Sequence, residues 1–405
     1  MTGSGTQADP YIIHDVNDLQ AMENDLDAYY ELANDIDASA TSGWNAGAGF
    51  LPIGQSSPYF SGHFDGKGYS ITDLMVNRGD TDDVGLFGIT KNDASIQNVK
   101  LINADITGDW HTGGLVGSAL GYPVISASSV SGSIVGADYV GGMIGFGGGN
   151  LVTSNSHSTA SVSGGTNYVG GFVGYSKGNF NQCYATGAVI STGWWAGGFV
   201  GYDDRTTIDK SYATGNVNAG DINGDSFAGG FVGWADGTHT NCYARGSVTA
   251  SGDYVGGYSG VSPNSMENCY STGAVSGVGI NVSGLNGDEG GDTINCFWDI
   301  ETSGQATSWG GTGVTTSEMK TKSTFTDAGW DFISIWNIHP AVNDGYPCLR
   351  GITPYCCDVV ATSPDLGKTI ITLEALRNIE MMRQGRFYID EQGRAVWESR
   401  FHRAA

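Results

Sequence analysis

Charge is what this 405-residue chain has least of. Only 15% of its residues are Asp, Glu, Lys or Arg, and 42 acidic residues face 18 basic ones, a formal net charge of -24. Such a chain repels phosphate backbones, so nucleic acid is excluded as an expected partner. No run of 18 apolar residues occurs, so no membrane-spanning helix is expected. Proline is scarce at 9 residues and no G-X-Y period runs through the chain, which removes collagen. No H-E-x-x-H, P-loop or C-x-x-C is present, so the common metalloprotease, nucleotide and zinc signatures are missing. The start, Met-Thr-Gly-Ser-Gly, has neither a basic nor an apolar region, so no secretory signal is read there.

Glycine, in contrast, is abundant at 65 residues, and aromatics reach 11%. Disorder does not fit that many aromatics; many tight turns and short strands do. The glycines are ordered. Gly-Gly-x-x-Gly begins at Gly113, Gly141, Gly170, Gly197, Gly229 and Gly256, with degenerate copies around Gly85 and Gly284. The second glycines are 29, 28, 29, 27, 32, 27 and 27 residues apart. Between them runs a second block: Cys183-Tyr184-Ala185-Thr186-Gly187-Ala188-Val189, with copies at Ser211, Cys242 and Cys269, a looser copy at Ser156 and a close at Cys296-Phe297-Trp298-Asp299. Two short strand-like blocks per period suit one coil of a β-solenoid, and glycine at this density disfavours helical repeats. Coils about 4.8 Å apart would stack into a rod roughly 40 Å long over eight anchors. Read as one alternating strand, Tyr168–Tyr175 puts Val169, Gly171, Val173 and Tyr175 on one face and Tyr168, Gly170, Phe172 and Gly174 on the other.

These blocks resemble the GLUG-motif repeat family of bacterial and phage surface proteins. Asp9-Pro10-Tyr11-Ile12-Ile13 and Phe60-Ser61-Gly62-His63-Phe64-Asp65-Gly66 are similar to its usual leader. Gly329-Trp330-Asp331-Phe332 and Asp344-Gly345-Tyr346-Pro347 are similar to its usual exit. The resemblance covers roughly residues 5–350. It implies an all-β solenoid in adhesive or surface proteins, and no reaction, since the family shares no catalytic residues.

Four regions are expected: an N-terminal cap with irregular coils (1–84), the solenoid repeats (85–300), a C-terminal cap (301–357) and a helix-plus-hairpin tail (358–405). Leu19, Met22 and Leu26 at helical spacing, after Asp15 or Asn17 as N-cap, predict a short helix over the first coil. Thr324–Ile338, with Phe325, Trp330, Phe332, Ile335 and Trp336, is the expected C-terminal cap. The tail is neutral, with 7 basic and 7 acidic residues, so the whole negative charge lies before residue 358. It has a helix candidate at Leu373–Gln384 and a hairpin signal at Phe387–Ile389 and Ala395–Trp397. Gly385-Arg386-Phe387-Tyr388 with Arg400-Phe401-His402-Arg403 resembles a small module of tailed-phage tail and baseplate proteins, which implies attachment through Phe387, Tyr388, Trp397, Arg400 and Phe401.

The candidate ligand site is an aromatic row two residues before each Gly-Gly: Tyr139, Tyr168, Trp195, Phe227 and Tyr254, with Trp110 and Trp194 beside it. Facing outward, it would stack sugar rings; facing inward, it would be a core ladder. Tyr184, Tyr212, Tyr243, Tyr270 and Phe297 form a second row open to both readings. Cys183, Cys242, Cys269 and Cys296 share one repeat position and read as buried free thiols, whereas Cys348 could pair with Cys356 or Cys357. The acid groups Asp80/Asp82/Asp83, Asp203-Asp204 and Asp221/Asp225 read as solvated turn residues, with calcium conceivable at Asp221, Asn223 and Asp225 but no other cofactor expected. The chain is therefore expected to be non-enzymatic: a virion appendage or extracellular surface adhesin that meets a cell-surface glycan or protein receptor, joins a virion or surface assembly by its tail, and has scope to form homo-oligomers. The alternatives are a glycan-degrading solenoid and a self-assembling filament subunit.

Overall fold

The computed structural model describes residues 1–220, 226–354 and 356, and the backbone of 386–389 and 395–398. The chain divides into two units, Met1–Thr316 and Ser317–Ala405. The first is an all-β parallel solenoid of about eight regular coils. An eleven-stranded parallel sheet runs from Tyr11–Ile13 through Tyr29–Leu32 and His63–Asp65 to Asp292–Ile294. A seven-stranded parallel sheet runs from Trp110–Gly113 to Asn281–Ser283, and a six-stranded one from Phe87–Thr90 to Val232–Ala235. The remaining face holds two parallel ladders, joined where the eight-residue strands Lys100–Thr107 and Ser129–Gly136 span both.

The alternation read through Tyr168–Tyr175 is corrected by the structure. The segment is two short strands, Tyr168–Gly170 and Val173–Ser176, with a corner between them. Val169, Phe172 and Val173 are all buried, and Phe172 stacks on Phe199 at 4.8 Å, inside the coil rather than beside Tyr168. The corner turns because its glycines lie against backbone. A Cβ on Gly171 would meet the Gly198 carbonyl oxygen of the next coil at 2.2 Å. The core is thus a set of stacked rows, one being Leu115, Met143, Phe172, Phe199, Phe231, Tyr258 and Leu285, all fully buried. Every row is made of one residue per coil, so period in sequence becomes contact in space.

The thiol position is a hydrogen-bonding ladder at another corner. The residue before it adopts a left-handed conformation at Asn155, Gln182, Lys210, Asn241, Asn268 and Asn295, a conformation asparagine tolerates better than most side chains. The next side chain then accepts an N–H from the preceding coil: Cys183 N donates to Ser211 Oγ at 3.1 Å, Cys242 N to Cys269 Sγ at 3.3 Å and Cys269 N to Cys296 Sγ at 3.4 Å. Cys183, Cys242, Cys269 and Cys296 are free and buried. Burial pushes the Cys183 thiol up to about 12. Ser211→Ala strands the Cys183 N–H and is expected to cost about 1–3 kcal/mol in urea unfolding, with Ser211→Cys costing less.

At the N-terminus the helix is Val16–Gln20, followed by a 3₁₀ turn at Ala21–Asn24. Asp15 is the N-cap and accepts from Asn17 N at 2.8 Å and Asp18 N at 2.9 Å. Leu19 and Met22 join the solenoid core. In the second unit, Trp330 packs on Phe325 at 4.7 Å and on Trp336 at 4.6 Å. Cys348 and Cys356 form a disulfide, Cα–Cα 5.9 Å. Arg386–Ile389 and Ala395–Glu398 pair antiparallel, with Phe387 opposite Trp397. The helix candidate 373–384, Arg400 and Phe401 lie outside the described residues, as do Asp221, Asn223 and Asp225.

Candidate functional site: an outer aromatic corner

The first aromatic row lies on the outside of the coils, half-buried. In register, Tyr168 pairs with Trp195, Trp195 with Phe227 and Phe227 with Tyr254. Ring centroids are 4.4 Å apart for Tyr139–Tyr168, 4.8 Å for Tyr168–Trp195, 6.3 Å for Trp195–Phe227 and 4.9 Å for Phe227–Tyr254. A second outer row, Phe146, Tyr175, Tyr202 and Trp234, was not expected. It stacks at 5.1, 5.5 and 6.1 Å. Its signal was in the repeat: each member stands four residues after the second glycine of a Gly-Gly pair.

The two rows meet edge to face across the glycine corner. Tyr168 stands against Tyr202 at 5.5 Å and 89°, Trp195 against Tyr202 at 5.7 Å and 89°, and Phe227 against Trp234 at 5.0 Å and 73°. This is the favoured geometry for aromatic quadrupoles. A shallow groove of about 370 Å³ runs over Tyr168, Tyr175, Trp195, Tyr202, Asp204 and Trp234. Tyr175 donates to Asp204 Oδ2 at 2.6 Å, and Lys177 Nζ lies 3.1 Å from the same oxygen. Burial, with Asp204 beside it, holds the Tyr175 hydroxyl protonated well above its ordinary range. Burial likewise pushes Tyr139 up to about 12.

Stacking has a consequence for binding. From Tyr168 to Phe227 each ring lies between two others of the row, so this stretch turns edges to solvent. The open faces belong to Trp110 and Trp194, 50% and 41% exposed, which occupy the same register position three coils apart, about 14 Å at the strand spacing. The structure therefore sets Trp110 and Trp194 beside the row rather than in it, Trp110 tilted against Tyr139 at 6.3 Å and Trp194 edge-on to Trp195 at 5.3 Å.

The other aromatic row, Tyr184, Tyr212, Tyr243 and Tyr270, stacks at 4.7, 4.7 and 5.1 Å and is buried from Tyr212 onward. It starts at His157, stacked on Tyr184 at 4.4 Å, whose burial depresses its pKa to about 4. The unfolded chain then binds a proton that the folded one refuses. Its contribution is present above pH 6.5 and is lost as pH falls from 6.5 toward 4, by roughly 3 kcal/mol at most. His157→Phe is expected to flatten that part of a plot of urea midpoint against pH.

The acid groups are corrected in one place. Asp203 is no solvated turn residue; it is fully buried. Its Oδ2 lies 2.8 Å from His239 Nε2, its Oδ1 accepts from Thr206 N at 2.7 Å, and His239 Nδ1 lies 3.0 Å from the Tyr258 hydroxyl. Asp83 pairs with His111 at 2.9 Å. Among the described residues no group of three or more His, Cys, Asp or Glu is arranged to hold a metal, and no helix is long and apolar enough to cross a membrane.

Fold and corner define a parallel β-solenoid of glycine-cornered, aromatic-laddered repeats. Comparison with known proteins agrees: residues 108–135 and 228–249 match the GLUG motif. The chain is similar to halomucin of Haloquadratum walsbyi, 39% identical over 168 residues, which are 40% of this chain and 2% of halomucin. It is also similar to a protein of Evansella cellulosilytica provisionally described as a Gly-rich membrane protein, 35% identical over 85% of this chain and 45% of that protein. The chain thus spans less than half the length of either relative. Among solved structures, a Bacteroides ovatus protein provisionally described as an immunoglobulin A1 protease has the same fold, with a TM-score of 0.54 over 86% of this chain and 94% of that one, at 20% identity. At that identity the likeness concerns architecture.

Proposed function

We propose that this chain is a rigid, acidic shaft of a cell-surface protein, with structural and adhesive roles. The observation that carries the proposal is the unbroken set of parallel ladders, in which each coil is bonded to the next and few residues stand free. Such an assembly resists bending and displays side chains at a fixed spacing. The similarity to halomucin and to a protein provisionally described as a Gly-rich membrane protein supports placement at a cell surface, and supports a cellular protein over a virion appendage. In this reading residues 358–405 attach the shaft to a larger assembly, and Trp110 and Trp194 offer stacking faces to a receptor.

The test is retention of the full chain on cells or on an array of glycans, beside a form lacking residues 358–405. Retention by both, with assembly lost only in the shortened form, is expected. Release of oligosaccharide from a capsule would replace the adhesive reading by the hydrolytic one. Concentration-dependent end-to-end polymers without retention would replace it by the filament.

A further inference from the structure

A second hollow, more enclosed than the groove at the aromatic corner, is lined by polar side chains. It lies on the outer face of the eleven-stranded sheet, over its first coils, with a volume of about 300 Å³. Two rows of side chains build it, with Gln7 and Pro10 completing the lining. In one, Tyr29 pairs with His63 and His63 with Ser95; in the other, Glu31 pairs with Asp65 and Asp65 with Gln97. Tyr29 and His63 stack at 4.2 Å and 15°. The next member of their row, Ser95, is too short to cover the second face of His63, whereas Val124 and Val152 continue the row beyond it. The result is a slot beside His63, floored by Ser95.

The wall beside the slot is made of acceptors. Asp65 is oriented by three donors: Lys67 N at 2.7 Å, Asn98 Nδ2 at 2.9 Å and Gln97 Nε2 at 3.0 Å. Its side chain is still 20% exposed. Glu31, 34% exposed, has one bond, from Lys67 Nζ at 3.4 Å. Lys67 stands between the two carboxylates, 3.9 Å from Asp65. The acidic wall and the charge of -24 repel an anion.

We propose that this slot binds one neutral pyranose residue of a glycan. The apolar C–H face of the sugar lies on the open face of His63, whose π-system attracts it, and its hydroxyls donate to Asp65 and Glu31. An aromatic platform with a few convergent polar groups is the usual make-up of a small-ligand site. The inference deepens the adhesive reading and rests on it, by naming the ligand class and a site away from Trp110 and Trp194.

The test is binding of the full chain to an array of neutral and acidic glycans, with the variants His63→Ala, Asp65→Asn, Ser95→Val and the pair Trp110→Ala/Trp194→Ala. Ser95→Val puts into the slot the residue type that follows it in the same row, so the sheet is retained while the slot is filled. Binding to glycans ending in a neutral hexose is expected to fall roughly tenfold or more in each slot variant, at unchanged urea midpoint for Ser95→Val, whatever further loss the tryptophan pair brings by removing the other stacking faces. Five results overturn the proposal. Full binding by Ser95→Val, or loss only in the tryptophan pair, removes the slot and leaves the adhesive reading standing. A preference for sialylated or phosphorylated glycans removes the ligand class. Adhesion to cells without any glycan binding removes the slot, while absence of all adhesion removes both readings.

Discussion

His239→Ala is expected to destabilise the solenoid by about 3–5 kcal/mol, read as a fall in the urea midpoint at constant slope. The reason is what the substitution leaves behind. Asp203 and His239 are both fully buried, and the Asp203 carboxylate would keep a single donor, Thr206 N, with no path to solvent. Tyr258 would lose the ring nitrogen 3.0 Å from its hydroxyl at the same time. Neighbouring coils show how the same positions are filled without polar atoms: Ala235 is in register with Asp203, Met266 with His239, and Phe231 stacks on Tyr258 at 4.9 Å. The triple replacement Asp203→Ala, His239→Met, Tyr258→Phe should therefore recover most of the loss, since a buried polar cluster exchanged for apolar residues of similar volume is often neutral or stabilising. Single replacements that each cost more than the triple would give a large coupling energy. Additive costs would show that the three act separately.

The same cluster marks where sequence reasoning stops. The period of the Gly-Gly-x-x-Gly blocks was enough to predict an all-β solenoid and the buried thiol position, because in a stacked coil a repeat position is a spatial row. Residues that break the repeat carry no such information. Asp203 and His239 are 36 residues apart, in different rows, and each looks like an ordinary turn or scattered histidine until the coils are closed. The second aromatic row was legible, being written four residues after Gly142, Gly171, Gly198 and Gly230. The alternation through Tyr168–Tyr175 misled because a period of two presumes a continuous strand, and glycines permit a corner. The slot beside His63 was not legible: it arises from what Ser95 lacks, and a missing side chain leaves no pattern. For Trp110 and Trp194 the sequence showed two more aromatics, and only the stacking separates open faces from covered ones.

Gly171→Ala should be as damaging as the loss of the buried pair, for a different reason. The φ of Gly171 is not in the left-handed region, so the backbone itself would admit alanine. The obstacle is the next coil. A Cβ there lies 2.2 Å from the Gly198 carbonyl oxygen, and Gly142, Gly198, Gly230 and Gly257 are within 2.2–2.3 Å of the corresponding carbonyl of their own neighbours. Backbone cannot yield as a side-chain tip can, so the two coils must part locally. A cost of roughly 3 kcal/mol is expected, at the upper end for overpacking. In a one-dimensional stack that cost falls on one interface, so the coils before and after it should also uncouple, and a single urea transition should split in two. The near-ultraviolet dichroism of the Tyr139–Tyr168–Trp195 stack, which crosses the same coils, should weaken with the first transition. Gly43→Ala provides the control, since nothing lies within 4 Å of its Cβ position, and its effect should stay within about 0.5 kcal/mol. Equal, small effects at the two sites would mean that the glycine corner is not what holds the coils at their spacing.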